Sequence, residues 1–173
     1  MPTQPAFEDL VDTYSGEIFG YLWRLLGGRP DAEDCLQEAF LRALRAYPRT
    51  PRLRNPRAWL YRIATNTARS HLARGARHLA RTADLDARLA SPASWVADAF
   101  DHRQRLEAVA AAVEALPPRQ RAALVMRKYQ ELDYPAIAEA LGCTEAAARA
   151  NVYQALKKLR HRLDPVAKTE RMA

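Results

Sequence analysis

Residues 133–163, DYPAIAEALGCTEAAARANVYQALKKLRHRL, predict two helices joined by a tight turn. Asp133 can cap the free amides of the first helical turn, and Pro135 near the helix start removes no internal hydrogen bond. Gly142 favours the left-handed conformation that ends many helices, and Thr144 is a good N-cap for a second helix. The stretch therefore predicts a short helix, a glycine turn and a longer helix.

The second of these helices has one apolar face and one polar, basic face. Its predicted buried residues recur at helical spacing and are Ala148, Val152, Leu156, Leu159 and Leu163. Its other face carries Arg149, Ala150, Tyr153, Gln154 and Lys157. This combination favours a helix-turn-helix that reads DNA. The alternative is an ordinary helical hairpin with a solvated charged face.

The charge distribution supports a polyanionic partner. The chain has 173 residues, a net charge of +7 and a pI of about 9.8. Residues 1–40 hold eight acids and two bases, whereas residues 41–83 hold eleven arginines and no acid. Residues 84–116 return to a net charge of −3, and residues 117–173 reach +5. Two basic blocks are thus separated by an acidic segment, behind an acidic front end.

The front of the chain predicts an amphipathic helix pair, or one long helix, over residues 6–27, ended by glycines at 27 and 28. We expect Asp31 to cap a second helix over residues 32–46. The outer side of that helix shows Asp34, Gln37, Glu38 and Leu41. A leucine among acids on an exposed face suits a basic partner protein, although solvated acids beside a stray leucine would look the same.

Residues 47–55 predict a proline-containing loop, and Pro56 opens a helix that we expect to end near Ala73. Arg62, Asn66 and Arg69 share one face of this helix, and Trp59 and Tyr61 stand near its start. Rings beside cations suit single-stranded nucleic acid, because bases stack on the rings while the cations follow the phosphates. The alternative is that Trp59 belongs to the core and Tyr61 is half-buried.

Helical periodicity weakens after Gly75, so residues 75–101 predict a linker with at most short helical pieces. Helices resume over 102–115 and 119–128. No segment shows a strand pattern, so the fold class is predicted to be all-α, with two small helical domains joined by a flexible linker.

Nothing in the sequence indicates a metal site, a signal peptide or a membrane span. Cys35 and Cys143 lie far apart in helical patterns and are expected to be small buried residues. The four histidines do not cluster with carboxylates. No cofactor is expected, and a cytoplasmic setting is.

Three ordered motifs resemble those of bacterial RNA polymerase sigma factors of the extracytoplasmic-function (ECF) class, which keeps only conserved regions 2 and 4. They are DAEDCLQEAFLRAL at 31–44, NPRAWLYRIATN at 55–66, and LPPRQR at 116–121 followed by the helix-turn-helix. The resemblance implies region 2 at residues 1–74, a linker at 75–101, region 4 at 102–165 and a tail at 166–173.

The resemblance also implies a role for each surface. The residues implied to grip the polymerase are Asp34, Gln37, Glu38 and Leu41. Those implied to melt and capture the −10 element are Arg52, Arg54, Asn55, Trp59, Tyr61, Arg62, Asn66 and Arg69. Those implied to bind the −35 element are Thr144, Arg149, Ala150, Asn151, Tyr153, Gln154, Lys157 and Arg160.

The partners implied are core RNA polymerase, through its β′ clamp helices and β flap, promoter DNA, and an anti-sigma factor. Neither membrane insertion nor a small-molecule substrate is expected. A dimeric helix-turn-helix regulator would instead need a ligand or dimer domain in the front half. An enzyme acting on nucleic acid would need a catalytic cluster, and the basic block contains no carboxylate pair or nucleophile–base set.

Overall fold

The computed structural model describes the backbone of residues 5–50, 53–82 and 97–169, and the side chains of residues 5–50, 53–77 and 106–163. Within these ranges the chain forms seven α-helices and one 3-10 turn, with no strand. The helices are α1 Phe7–Leu26, α2 Arg29–Ala46, α3 Pro56–Thr82, α4 Ala97–Glu114, α5 Pro118–Lys128, α6 Tyr134–Leu141 and α7 Glu145–Thr169. The 3-10 turn is Tyr47–Arg49.

Local sequence signals account for most helix ends. Gly27 and Gly142 take the left-handed conformation, with φ of 77° and 60°, and end α1 and α6. The Asp133 side chain accepts a hydrogen bond from the Ala136 amide and caps α6, as predicted. Thr144 Oγ1 accepts from the Ala147 amide at 3.2 Å and caps α7, also as predicted. Residues 6–27 form one long helix, the second of the two alternatives.

Three predicted helix boundaries are wrong. Asp31 does not cap α2, because Pro30 already lies in the first turn and the N-cap is Gly28. Helix α3 does not end near Ala73 but continues past Gly75 to Thr82. One glycine costs a helix about 1 kcal/mol, which the surrounding strong helix formers can offset. Helix α4 begins at Ala97, earlier than position 102.

Helices α1, α2 and α3 pack together into a first helical unit. Helix α1 contributes large side chains to the core, among them Ile18, Tyr21 and Leu22, while the buried residues of α2 are mainly small. Small residues allow close approach of α2 to its neighbours, so the remaining polar side of α2 stays at the surface.

Helices α4 to α7 form a second unit, in which α6 and α7 are the predicted helix-turn-helix. Its separate small cluster consists of Leu116, Leu124 and Ala155. The face of α7 that carries Ala148 and Val152 is buried, as its periodicity predicts. The all-α fold class with two helical units is therefore confirmed.

The two units are not apart in this structure. Helix α6 packs against α3, and α5 packs against α1. Buried residues of both units belong to one apolar cluster, which runs from Leu10 in α1 to Val152 in α7. Of the predicted linker, residues 75–82 and 97–101 are helical, and residues 83–96 lie outside the described residues, as does the end of the predicted tail.

Candidate nucleic-acid and protein interfaces

The outer face of α7 is exposed along its length. Arg149, Ala150, Gln154, Lys157 and Arg160 are all exposed, and Tyr153 keeps 65% of its surface. These side chains share one side because the opposite side is packed against α4, α5 and α6. The structure thus brings together most of the residues predicted to bind the −35 element.

Arg149 is held in place by the first helix of the motif. Its guanidinium lies 4.3 Å from the centre of the Tyr134 ring, and its Nη2 is 2.5 Å from Glu145 Oε1. Arg127 approaches the same ring at 4.9 Å and donates to the Leu132 carbonyl oxygen at 3.0 Å. A cation over an aromatic face is attracted by the ring quadrupole. Tyr134 therefore orients Arg149, a role that the sequence pattern did not reveal.

Two predicted −35 residues are already engaged with their own helix. Asn151 is half-buried, and its Nδ2 donates to the Ala147 carbonyl oxygen at 2.9 Å. Thr144 uses its hydroxyl oxygen as the N-cap described above, although its hydroxyl proton still has a donor function. Both residues lie at the edge of the exposed face, where they border the others.

The exposed face of α3 carries Arg62, Asn66 and Arg69, as predicted. Arg69 Nη2 donates to Asn66 Oδ1 at 3.3 Å, which leaves the amide nitrogen of Asn66 as a donor pointing away from that pair. An asparagine amide beside arginines presents hydrogen-bonding groups and positive charge together. Such a face can hold a base edge and its phosphate.

The predicted roles of the two aromatic residues must be corrected. Tyr61 is fully buried, its ring packs edge-on against Tyr21 at 5.0 Å, and its hydroxyl donates to Glu17 Oε1 at 2.7 Å. Burial, followed by the hydrogen bond to Glu17, raises the pKa of Tyr61. Tyr61 cannot stack on a base in this arrangement. Trp59, in contrast, is half-buried, with its ring centre 6.1 Å from that of Tyr47.

The loop before α3 contributes one exposed cation and one structural cap. Arg54 is exposed. Asn55 Oδ1 accepts a hydrogen bond from the Ala58 amide at 3.0 Å, so Asn55 caps α3 and is not fully available to DNA. Arg52, the remaining −10 residue of the prediction, lies outside the described residues.

The outer face of α2 exposes Asp34, Gln37 and Leu41, with Leu41 retaining 53% of its surface. Leu44 lies one turn further along and is 48% exposed, which the sequence analysis missed. Two exposed leucines at a spacing of three form a short apolar ridge on the helix surface. This ridge beside carboxylates suits a protein partner more than it suits a solvated surface.

Glu38, the fourth residue of this face, is not a free carboxylate. Arg42 contacts it at 2.5 Å and Arg74 at 3.0 Å. Hydrogen bonds from Arg74 and Arg42 hold the pKa of Glu38 below its ordinary value. The two arginines line an open groove between α2 and α3 together with Arg69, Ser70 and Arg77. These arginines lie in the acid-free block, but only the packing of α3 on α2 reveals the groove.

The described residues offer little for catalysis or metal binding. No group of three or more His, Cys, Asp or Glu side chains among them is arranged to hold a metal ion. Cys35 is buried, as predicted, and burial raises the pKa of its thiol to about 11, whereas Cys143 is only half-buried. Within the described part of the chain, no helix combines the length and apolarity needed to cross a membrane.

Comparisons with known proteins agree with the two helical units. The family described as Sigma-70 region 2 matches residues 10–78, and the family described as Sigma-70, region 4 matches residues 106–159. The chain is 31% identical to the RNA polymerase sigma-H factor of Pseudomonas aeruginosa, over 93% of this chain and 88% of that protein.

Solved structures show the same fold. The sigma factor RpoE of Bartonella quintana, solved in complex with the anti-sigma factor NepR, is 20% identical with a TM-score of 0.70, over 91% of this chain and 96% of that one. CnrH, solved in complex with the cytosolic domain of CnrY, is 25% identical with a TM-score of 0.66, over 95% and 91% of the two chains.

Proposed function

The chain belongs to the ECF class of RNA polymerase sigma factors, which bind core polymerase and direct promoter-specific initiation, and we propose that α2, α3 and α7 divide this work. One observation carries the proposal. Each of the three helices exposes a chemically different face on the same molecule: acids with leucines, an amide with arginines, and a mixed polar edge ordered by Tyr134.

Helix α7 reads the −35 element as duplex. A helix of this kind fits the major groove, where an arginine can form two hydrogen bonds with guanine and a glutamine can do so with adenine. Arg149 and Gln154 are exposed for this purpose, and Tyr153 extends beside them. Lys157 and Arg160 lie further along the helix and contact the phosphates.

Helix α3 captures the −10 element after its strands separate. Asn66 holds the edge of an unpaired base, while Arg62, Arg69 and Arg54 follow the phosphates. Trp59, which keeps part of its ring exposed, is the aromatic available for stacking. Tyr61 instead supports the helix from inside.

Helix α2 binds the clamp helices of the polymerase β′ subunit through Asp34, Gln37 and Leu41, and we add Leu44 to this set. Glu38 contributes mainly by fixing Arg42 and Arg74. The second unit would contact the β flap. The work requires no bond-breaking by the sigma factor itself, so no catalytic role is proposed.

Regulation by a partner protein is part of the proposal. CnrH, the 25% identical relative, is held by the cytosolic domain of CnrY. An anti-sigma factor acting on this chain would cover the exposed faces of α2 or α7. The protein is proposed to act in the cytoplasm, because core polymerase and the promoters are there.

The test is a charge reversal on α2 with a matched control on α1. Asp34→Lys combined with Leu41→Ala should weaken binding to purified core polymerase by at least about tenfold, since an acid and an apolar anchor are lost from one face. Asp12→Lys makes the same charge change on an exposed position of α1 and should leave binding unchanged.

Binding is measured by co-purification and by run-off transcription, with helicity checked by circular dichroism. Undiminished core binding by the α2 variant, at normal helicity, would refute the assignment of this face. Tight binding of the free protein to a palindromic duplex as a dimer would instead support a regulator that works without polymerase.

A further inference from the structure

The first unit carries a surface that the second unit covers. Helix α6 buries residues on both of its sides, namely Ile137, Ala138, Ala140 and Leu141. Packing on α7 needs only one of those sides, and α3 covers another. Ala140 and Leu141 line a cavity of about 40 Å³ together with Leu25 of α1 and Leu72 of α3. Apolar side chains of both units thus leave water only when the units meet.

A hydrogen-bonded arginine links the same two units. Arg57 of α3 donates through Nε to Glu17 Oε1 at 2.7 Å and through Nη2 to the Gln130 carbonyl oxygen at 2.6 Å. Gln130 belongs to the loop after α5, in the second unit. Charge-assisted hydrogen bonds of this length are stronger than neutral ones. Arg57 therefore fixes the loop of one unit onto a helix of the other.

A second link lies at the edge of the contact. The guanidinium of Arg24, near the end of α1, is 4.8 Å from the centre of the Tyr129 ring, which follows α5. Tyr129 is 57% exposed, so this cation–π contact is solvated and contributes modestly. It nevertheless repeats the pattern of an arginine of the first unit meeting the loop of the second.

One buried group opposes the contact. Arg121 of α5 is only 9% exposed, and its Nε has no hydrogen-bond partner among the described residues. Burial lowers the pKa of Arg121, because a guanidinium loses hydration there. An incompletely satisfied buried cation costs free energy. The contact between the units is therefore built to be reversible and not as tight as a single core.

The covered surface borders the −10 face. Asn66 and Arg69 line the same cavity as Pro118 and Arg119 of α5. A base held by Asn66 would have to share this space with the second unit. The closed arrangement therefore obstructs part of the α3 face while it leaves the polymerase face of α2 accessible.

We infer that the α1–α3 surface is a docking site for the α5–α6 side of the same chain, and that this closed form holds the free protein inactive until polymerase opens it. The inference rests on the proposed function. The −35 and −10 elements lie about 25 base pairs apart, or about 85 Å along B-DNA at about 3.4 Å per pair. Packed helices such as α3 and α6 lie only about 8–10 Å apart, so the closed form cannot read both elements.

Small-angle X-ray scattering of the full-length free protein, with a single-strand binding assay beside it, tests the inference. A compact chain of this length has a radius of gyration of about 16 Å, and separated units should exceed this by several ångströms. Ala140→Glu places a charge in the docking surface and should expand the free protein. Ala111→Glu makes the same change at an exposed position of α4 and should not.

The binding assay uses a fluorescent single-stranded oligonucleotide with the −10 sequence. If the closed form obstructs α3, Ala140→Glu should bind this strand at least about fivefold more tightly than the wild type, because closure reduces the competent fraction. Ala111→Glu should match the wild type. The double variant Arg57→Ala with Tyr129→Ala removes only the polar links, so it should show the same two changes even if Ala140→Glu folds poorly.

An extended wild-type protein in solution would overturn the docking, whatever the variants do. Expansion of the variants without a gain in single-strand binding would overturn the inhibitory role. The scattering result does not depend on transcription, so it remains valid if the wild type fails to support promoter-dependent run-off with core polymerase. That failure would refute the proposed function alone.

Discussion

Helices α3 and α7 both carry residues predicted to face DNA, but they differ in how many of their sides are buried. Helix α7 packs within its own unit, and its outer side is open from Arg149 to Arg160. Helix α3 packs against α1 and α2 and also against α6 of the other unit. Its exposed side is correspondingly narrower and consists chiefly of Arg62, Asn66 and Arg69.

The difference shows when periodicity predicts a surface well. A helix buried on one side places polar residues outside by geometry alone, so the sequence of α7 predicts its exposed residues. A helix buried on two sides needs a second inward stripe, and an amphipathic residue can belong to it. Tyr61 is such a residue, since its ring packs in the core while its hydroxyl meets Glu17.

The largest expected effect comes from comparing two tyrosines, one on each helix. Tyr61→Ala should lower the free energy of unfolding by about 3–5 kcal/mol, as other buried aromatic truncations do. Tyr153→Ala should change it by less than about 0.5 kcal/mol, because that side chain is 65% exposed. Urea titration followed by circular dichroism measures both values.

The conservative variant Tyr61→Phe separates the ring from the hydroxyl. It retains the packing on Tyr21 and leaves Glu17 with its hydrogen bond from Arg57, so its loss should be smaller than that of Tyr61→Ala. Equal stability of Tyr61→Ala and the wild type would mean that Tyr61 is not a core residue. It would restore the stacking role first expected of it.

The sequence predicted what depends on neighbours along the chain and missed what depends on contacts between helices. The caps by Asp133 and Thr144 and the turn at Gly142 follow from local chemistry. The pairing of Glu38 with Arg74 requires α3 to lie on α2, a spacing of 36 residues that no helical period contains. Contacts between the two units, such as that of Arg57 with Gln130, are equally invisible in a periodic pattern.

A second, intermediate effect should distinguish the kind of DNA that each helix binds. Asn66→Ala should impair transcription from duplex promoters and be partly rescued on a template already melted at the −10 element, because α3 then has less to open. Arg149→Ala should weaken duplex binding by about 1–3 kcal/mol if it contacts a base, with slight rescue by melting. Run-off transcription on matched duplex and bubble templates measures both.

Lys158→Ala is a suitable control for Arg149→Ala, since Lys158 is an exposed cation of the same helix outside the predicted set. It should change transcription little on either template. Equal rescue of Asn66→Ala and Arg149→Ala by the bubble would contradict the division of labour between α3 and α7.

The smallest expected effect concerns Tyr134, which neither faces the core fully nor belongs to the predicted DNA set. The guanidinium groups of Arg149 and Arg127 lie over its ring at 4.3 and 4.9 Å. At a solvated site a cation–π contact contributes about 0.5–1 kcal/mol, so loss of the ring should free Arg149 to occupy several rotamers. Tyr134→Leu keeps an apolar side chain and removes the quadrupole.

We expect Tyr134→Leu to weaken binding of reconstituted holoenzyme to the −35 duplex by roughly two- to fivefold, corresponding to about 0.5–1 kcal/mol. Tyr134→Phe retains the ring and should bind as the wild type does. In the Arg149→Ala background, Tyr134→Leu should add little, because the side chain that the ring orients is already absent. If the two losses are instead fully additive, Tyr134 acts on DNA independently of Arg149, and the order of the α7 face has another source.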